Sequence, residues 1–277
     1  MKLLCIPLLA LLLASCASSL PTPAQRGQHM DFLASAHNWQ KLHLPTEHFV
    51  LTAYAPIQPI SAKSLTIYIE GDGLAWMSRS LPSDDPTPNN PLGLELALRH
   101  PNNAAAYLSR PCQNIDPQDR NNCTEEYWTR RRFSPEVIDA SNESISALKA
   151  RVGAEQLILV GYSGGAAVAA LVAARRQDVV RLITIAGNLD TATWTSFHHI
   201  EALTGSLNPA DDWSRLQTLP QIHFVGGKDT NITPEIVSAY RRRFPPGKFP
   251  EIRVLPDFNH ACCWIEAWPT LMRETTP

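Results

Sequence analysis

The chain has 277 residues, of which 44% are hydrophobic and 18% charged, a composition that suits one globular domain with a sizeable core. Its formal net charge of −2 lacks the basic excess of nucleic-acid-binding proteins, so we expect no nucleic-acid partner. The 23 prolines favour many rigid loops over a bundle of helices.

The first predicted element is a signal peptide over residues 1–15. Its apolar run, residues 3–13, is too short to span a membrane with ease. The run ends in L-A-S-C, which resembles the lipobox of bacterial lipoproteins. The resemblance implies that Cys16 is lipidated and holds the protein to a membrane. Because the residue after the cysteine is not Asp, the resemblance favours the outer membrane, with the protein facing the periplasm. The alternative is ordinary secretion with cleavage near Ala17.

Residues 16–38 are predicted to form the lipidated N-terminus and a tether, because residues 18–28 are rich in Pro, Ser, Thr and Gln. The folded domain is expected over residues 39–277. Patterns of apolar residues predict strands over 48–54, 65–70, 104–109, 157–160, 179–186, 222–225 and 252–255. Helices are predicted over 92–99, 134–152, 166–174 and 233–244 and in the C-terminal tail, with helical pieces within 187–220. This alternation indicates an α/β fold, with a mainly parallel central sheet flanked by helices.

The most informative stretch is residues 157–165, L-I-L-V-G-Y-S-G-G. Four branched apolar residues predict a buried strand, and the small residues after 165 predict a helix that packs closely on a sheet. Strand, sharp turn and helix around G-x-S-x-G are typical of a nucleophile elbow, which makes Ser163 the candidate nucleophile. The alternative is a glycine-rich turn whose serine caps the helix.

A serine nucleophile needs a base to accept its proton and an acid to orient that base. Asp229 and His260 each follow a predicted strand, and in such sheets the chemistry gathers at the carboxyl ends of the strands. Asp190 and Asp257 are the other candidates for the acid. The other candidates for the base, His198 and His199, lie in the segment that covers the sheet.

The order Ser–Asp–His, with G-Y-S-G-G, G-G-K-D-T and F-N-H, resembles that of serine hydrolases of the α/β-hydrolase fold over about residues 48–273. The resemblance implies a nucleophile at Ser163, an acid at Asp229 and a base at His260. It also implies an oxyanion hole from backbone N–H groups of Asp72 or Gly73 together with Gly164. The chain has Glu70 where members of the family often have histidine.

The cysteines fit an oxidising compartment. Once Cys5 and Cys16 are set aside, four remain, and we favour a disulfide between Cys112 and Cys123 that closes a polar loop. Cys262 and Cys263 are then a vicinal disulfide or two thiols; the alternative links the two loops. Cysteine and histidine spacing supports no zinc site, and we expect neither metal nor cofactor. Three tryptophans are candidates either for the lining of a pocket or for the core: Trp76, Trp128 and Trp194. The run Arg241, Arg242 and Arg243 is predicted to be the solvated face of a helix.

The sequence therefore predicts a membrane-tethered periplasmic serine hydrolase. Hydrolysis of small carboxylic esters through an acyl-enzyme is the first hypothesis, and amide or thioester cleavage would use the same groups. A non-catalytic envelope-binding lipoprotein on a hydrolase fold is the alternative from another class. Acyl transfer to an acceptor other than water stays open.

Overall fold

A computed structural model describes residues 20–58, 61–102 and 104–275. The predicted signal peptide and the lipidation site Cys16 lie outside the described residues. Within the described part of the chain, no helix is both long enough and apolar enough to cross a membrane.

Eight strands form one sheet in the order β1-β2-β4-β3-β5-β6-β7-β8. Strand β2 pairs antiparallel with β1 and β4, and the remaining pairs are parallel. The mainly parallel sheet predicted from the sequence is therefore confirmed. In chain order the strands are β1 Trp39–Pro45, β2 Val50–Pro56, β3 Ser64–Ile69, β4 Ala105–Leu108, β5 Gln156–Tyr162, β6 Val179–Ile185, β7 Gln221–Gly226 and β8 Glu251–Leu255.

Helices cover both faces of the sheet and bury one apolar cluster on each. One cluster includes Leu148, Tyr240 and the Ala-rich helix after β5. The other includes Met30, Leu94 and Trp268. The helices are α1 Pro23–Ala36, α2 Leu92–Leu98, α3 Pro135–Val152, α4 Gly164–Ala173, α5 Thr191–Phe197, α6 Trp213–Leu216, α7 Pro234–Arg241 and α8 Trp264–Thr275. Helices α5 and α6 lie within the segment 187–220, where helical pieces were predicted, and α8 contains Pro269.

The fold begins earlier than the sequence predicts, so the expectation of a tether over 16–38 is wrong for residues 23–36. Helix α1 begins with a capping box, in which Thr22 and Gln25 exchange hydrogen bonds. The helix buries Met30, and its Arg26 forms a buried ion pair with Asp85 at 3.2 Å. These contacts hold the helix against the domain. The composition of the segment does not show them, because they join residues that are distant in the chain.

The second difference is strand β1, which the sequence analysis does not predict. Two consecutive polar residues, Gln40 and Lys41, interrupt the alternation of its sequence, and most of its residues are only partly buried. Strand β1 lies at the edge of the sheet and forms a hairpin with β2 through a turn in which the Thr46 N–H donates to the Phe49 carbonyl. An edge strand has one open side, so its hydrophobic pattern is weaker than that of the central strands.

Candidate active site

Ser163 lies on the turn between β5 and α4. Its backbone has φ of +52° and ψ of −119°, a conformation that a residue with a side chain rarely adopts. Gly161 and Gly165 make this turn possible, because a Cβ on either would overlap backbone atoms of Ala166 or of the end of β3. The predicted elbow geometry is therefore present.

The structure brings Ser163, His260 and Asp229 together, although the predicted residues come from three separate loops. Ser163 Oγ lies 3.0 Å from His260 Nε2, and His260 Nδ1 lies 2.8 Å from Asp229 Oδ2. Because a carboxylate only accepts, Nδ1 carries the proton and Nε2 is free to accept from the serine hydroxyl. This is the arrangement in which an imidazole can take a proton from a serine.

Asp229 is fixed in the orientation that this contact needs. It is buried, and its Oδ1 accepts from the backbone N–H groups of Asn231 at 2.8 Å and Ile232 at 2.9 Å. The other carboxylate oxygen therefore faces His260. His260 is also in contact with Tyr162, whose hydroxyl donates to the His260 carbonyl at 3.2 Å. Burial raises the pKa of Tyr162, so that this hydroxyl keeps its proton.

The other candidates for acid and base have different partners. Asp190 caps α5 through the N–H of Thr193 and pairs with Arg243, and the exposed Asp257 pairs with Lys228. His198 Nε2 lies 2.7 Å from the Asn231 carbonyl oxygen. His199 is an exposed residue with positive φ that follows α5. None of these four side chains contacts Ser163 among the described hydrogen bonds and ion pairs.

A second polar cluster lies beside the serine, and the sequence analysis does not predict it. Asp72 binds Arg132 Nη1 at 2.6 Å through one carboxylate oxygen and Arg110 Nη1 at 3.0 Å through the other. Burial by itself would raise the pKa of Asp72, but the two guanidinium groups outweigh burial and hold that pKa below its usual value. A Cβ at Gly164 would overlap the Asp72 carboxylate, so this cluster lies directly against the elbow.

The predicted oxyanion loop follows β3 and lies next to the elbow. A Cβ at Gly71 would lie 3.3 Å from the Ser163 Cβ, whereas a Cβ at Gly73 would point at Pro86 and Gln113. Glu70, which is buried, accepts from the N–H groups of Gly71 at 2.9 Å and Gly93 at 3.1 Å. Burial raises the pKa of Glu70 despite these donors. Glu70 therefore anchors the start of the loop through backbone hydrogen bonds.

Sequence reasoning also misses Asn231, whose side chain reaches His260. Its Nδ2 lies 3.3 Å from His260 Nε2, and its Oδ1 accepts from Trp194 Nε1 at 3.1 Å. Trp194, a candidate pocket residue, therefore lies beside the site, and the Arg132 guanidinium lies 5.9 Å from its ring centre. The one signal in the sequence is that Asn231 follows Asp229 within the same turn.

The structure also shows the contacts of the other two candidate tryptophans and of the arginine run. Trp128 is buried and donates to the Ser83 carbonyl, and it lines a small cavity of about 10 Å³ with Asp72 and Arg110. Trp76 is 39% exposed. Within the predicted solvated run, Arg241 lies over the ring of Phe249, and Arg243 pairs with the buried Asp190.

The structure joins Cys112 to Cys123, as the sequence analysis favours, and joins Cys262 to Cys263. The first disulfide closes the polar loop after β4. The second lies two residues beyond His260.

Three side chains with metal-ligating atoms lie together at the surface beside β1, which is four strands away from β5 in the sheet. His43, Asp116 and Asp119 place ligand atoms within 4.8 Å of one another. Lys41 lies 3.5 Å from Asp116 and competes with a cation for its carboxylate. We assign no metal to this cluster.

No family model and no curated protein matches the chain. Solved structures do match it. An esterase from Pyrococcus furiosus is 14% identical with a TM-score of 0.58, over 85% of this chain and 88% of the other. Est1E from Butyrivibrio proteoclasticus is 14% identical with a TM-score of 0.57, over 84% and 98%. An alpha-beta serine hydrolase homologue from Coxiella burnetii is 16% identical with a TM-score of 0.56, over 86% and 97%. The chain therefore has the α/β-hydrolase fold.

Proposed function

We propose that the protein is a serine hydrolase that cleaves small carboxylic esters, with Ser163 as nucleophile, His260 as base and Asp229 as the acid that orients it. The observation that carries the proposal is the continuous contact from Ser163 Oγ to His260 Nε2 and from His260 Nδ1 to Asp229. The esterase activity named for the structural neighbours supports the choice of bond.

In the first half-reaction His260 Nε2 takes the proton of Ser163 while Oγ forms a bond to the ester carbonyl carbon. The imidazolium then passes that proton to the leaving-group oxygen as the carbon–oxygen bond breaks, which leaves an acyl-enzyme. Water repeats the sequence: Nε2 takes its proton, the acid product leaves, and the proton returns to Ser163. Asp229 keeps Nδ1 protonated throughout and stabilises the imidazolium.

The carbonyl oxygen gains negative charge in each half-reaction and needs N–H donors. We propose that the backbone N–H of Gly164, together with that of Asp72 or Gly73, supplies them. Gly164 begins α4, so the positive end of the helix dipole favours the same charge. The Asp72 carboxylate alone would oppose that charge, but Arg110 and Arg132 neutralise it.

Turnover of a short-chain aryl ester tests this proposal. Ser163→Ala should reduce kcat by a factor on the order of 10⁶, as loss of the nucleophile does in a comparable triad. Ser146→Ala, at an exposed serine of α3, is the matched control and should keep full activity. Circular dichroism checks that each variant is folded. Wild-type turnover by a folded Ser163→Ala variant would exclude the mechanism.

We further propose that a lipid on Cys16 holds the enzyme to the bacterial envelope, facing the periplasm, with the outer membrane as the preferred site. The L-A-S-C sequence supports this proposal. The expressed protein should fractionate with membranes and carry acyl chains on Cys16, whereas Cys16→Ser should be released or left unprocessed. A mature N-terminus without lipid at another residue, found by mass spectrometry, would contradict it.

A further inference from the structure

We propose that Asn231 is a further catalytic residue, which donates a hydrogen bond to the leaving-group oxygen while the acyl-enzyme forms. The inference rests on the proposed function, because it concerns the same proton transfer through His260.

The orientation of the Asn231 amide follows from its neighbours. Trp194 Nε1 can only donate a hydrogen bond, and it lies 3.1 Å from Asn231 Oδ1. The amide nitrogen must therefore be the atom that faces His260, at 3.3 Å from Nε2. The Asn231 main chain is also held, because its N–H donates to Asp229 and its carbonyl oxygen contacts His198.

His260 Nε2 thus has two donors around one lone pair. Ser163 Oγ lies at 3.0 Å and Asn231 Nδ2 at 3.3 Å. Asn231 is half-buried at the cleft, and within the described part of the chain no protein acceptor takes its second N–H. The amide therefore has a donor that no described protein group uses, held within 3.3 Å of the nitrogen that hands the proton to the leaving group.

The proton transfer changes the partner of this amide. When Nε2 takes the proton of Ser163, its lone pair is used, and the Asn231 N–H that faces it has lost its acceptor. At that stage the leaving-group oxygen must lie within hydrogen-bond reach of Nε2, since it receives the same proton. That oxygen is also gaining negative charge as its bond to carbon breaks. A donor already held next to Nε2 is placed to stabilise it.

The dependence on the leaving group separates this role from a structural one. A 4-nitrophenolate disperses its own charge and needs little help, whereas an alkoxide or an unsubstituted phenolate depends on donors. For Asn231→Ala we expect kcat/KM to fall about 10-fold or more on ethyl and phenyl acetate, and less than about 3-fold on 4-nitrophenyl acetate, the loss of roughly one hydrogen bond. Asn231→Leu keeps a side chain of similar size but removes the donor without adding a charge beside His260, and should show the same selectivity.

Trp194→Phe keeps an aromatic side chain but removes the N–H that orients the Asn231 amide. It should therefore shift the ratio of kcat/KM between 4-nitrophenyl acetate and the other two esters in the same direction, by a smaller factor. Thr230→Ala, at the exposed neighbour in the same turn, is the control and should leave the ratio unchanged. Equal losses on all three esters in folded Asn231→Ala and Asn231→Leu would overturn the inference and leave the serine mechanism intact. Absence of Ser163-dependent turnover in the wild type would instead overturn the proposed function.

Discussion

Two aspartates lie on opposite sides of Ser163, and each comes three residues after the end of a parallel strand. Asp72 follows β3 and Asp229 follows β7. Asp229 is held by two backbone N–H groups and offers its free oxygen to His260, a group that can gain and lose a proton. Asp72 gives both oxygens to guanidinium groups, which only donate hydrogen bonds.

The same residue type therefore acquires two roles from its partners. On the Asp229 side, the hydrogen bond to an imidazole ring fits the proton transfer proposed for His260. On the Asp72 side, two permanent charges fix the wall of the site and offset a negative charge next to the elbow. Strand position alone does not distinguish these roles; the partners do.

The largest expected effect is on the Asp229 side, at the base itself. His260→Ala should lower kcat by about as much as loss of the nucleophile, on the order of 10⁶, because members of a triad act as a unit. His198→Ala, which changes a histidine of the same region that contacts the Asn231 carbonyl, should keep most of the activity. Ester hydrolysis by the two purified variants decides the assignment. A larger loss of kcat in His198→Ala than in His260→Ala would instead make His198 the base.

Loss of the proposed acid, Asp229, should lower kcat by a smaller factor than loss of the base. Asp229→Asn should lower kcat by a factor of about 10⁴, because the amide can hold His260 in the wrong tautomer without disturbing the packing. Asp257→Asn, at the exposed rival that pairs with Lys228, is the matched control. The measurement is kcat for both variants at one pH. Near-normal activity of folded Asp229→Asn would contradict the role of Asp229.

On the Asp72 side we expect the change to appear in stability. Asp72→Asn leaves Arg110 and Arg132, both nearly fully buried, without a counter-charge, and should lower the free energy of unfolding by about 3–5 kcal/mol. Asp139→Asn, which breaks the surface pair with Arg175, should cost less than about 1 kcal/mol. Denaturant unfolding compares them. Equal stability of the two variants would show that the Asp72 cluster contributes no more than a surface pair.

The pH dependence of the free energy of unfolding tests two buried histidines, His223 and His100. Burial lowers the pKa of His223 to about 3 and that of His100 to about 4, whereas an unfolded histidine titrates near ~6.5. Between about pH 6.5 and 4 the unfolded chain therefore binds more protons than the folded one, so stability is lost as the pH falls. Each group contributes up to ~1.4 kcal/mol per pH unit.

Unfolding by denaturant at several pH values measures this slope. His223→Gln should flatten it, because its group no longer titrates, and replacement of the exposed His29 should leave it unchanged. A wild-type stability that does not change between pH 6.5 and 4 would contradict the assignment of neutral buried histidines.

The sequence predicts best where a local pattern determines the structure. The glycines around Ser163 and the apolar run before it indicate the elbow, because the turn is steric and needs few distant partners. The positions of Asp229 and His260 follow from strand ends in a parallel sheet. Helix α1 had a readable signal in its capping box, but the Pro- and Ser-rich segment around it favoured a tether.

What the sequence could not predict depends on contacts between distant segments. Asp72 meets Arg110 and Arg132 across 38 and 60 residues of chain. Asn231 is close to His260 because two strands align their carboxyl ends, and its side-chain orientation depends on Trp194, 37 residues away. Composition and periodicity carry no information about such pairs.

The central claim is that Ser163 is the nucleophile, and covalent labelling tests it most directly. A fluorophosphonate probe should modify the wild-type protein once, and peptide mass spectrometry should locate the adduct on Ser163. Ser163→Ala should carry no adduct, and His260→Ala should react far more slowly. An unlabelled wild-type protein, or an adduct on another residue that persists in folded Ser163→Ala, would contradict the account.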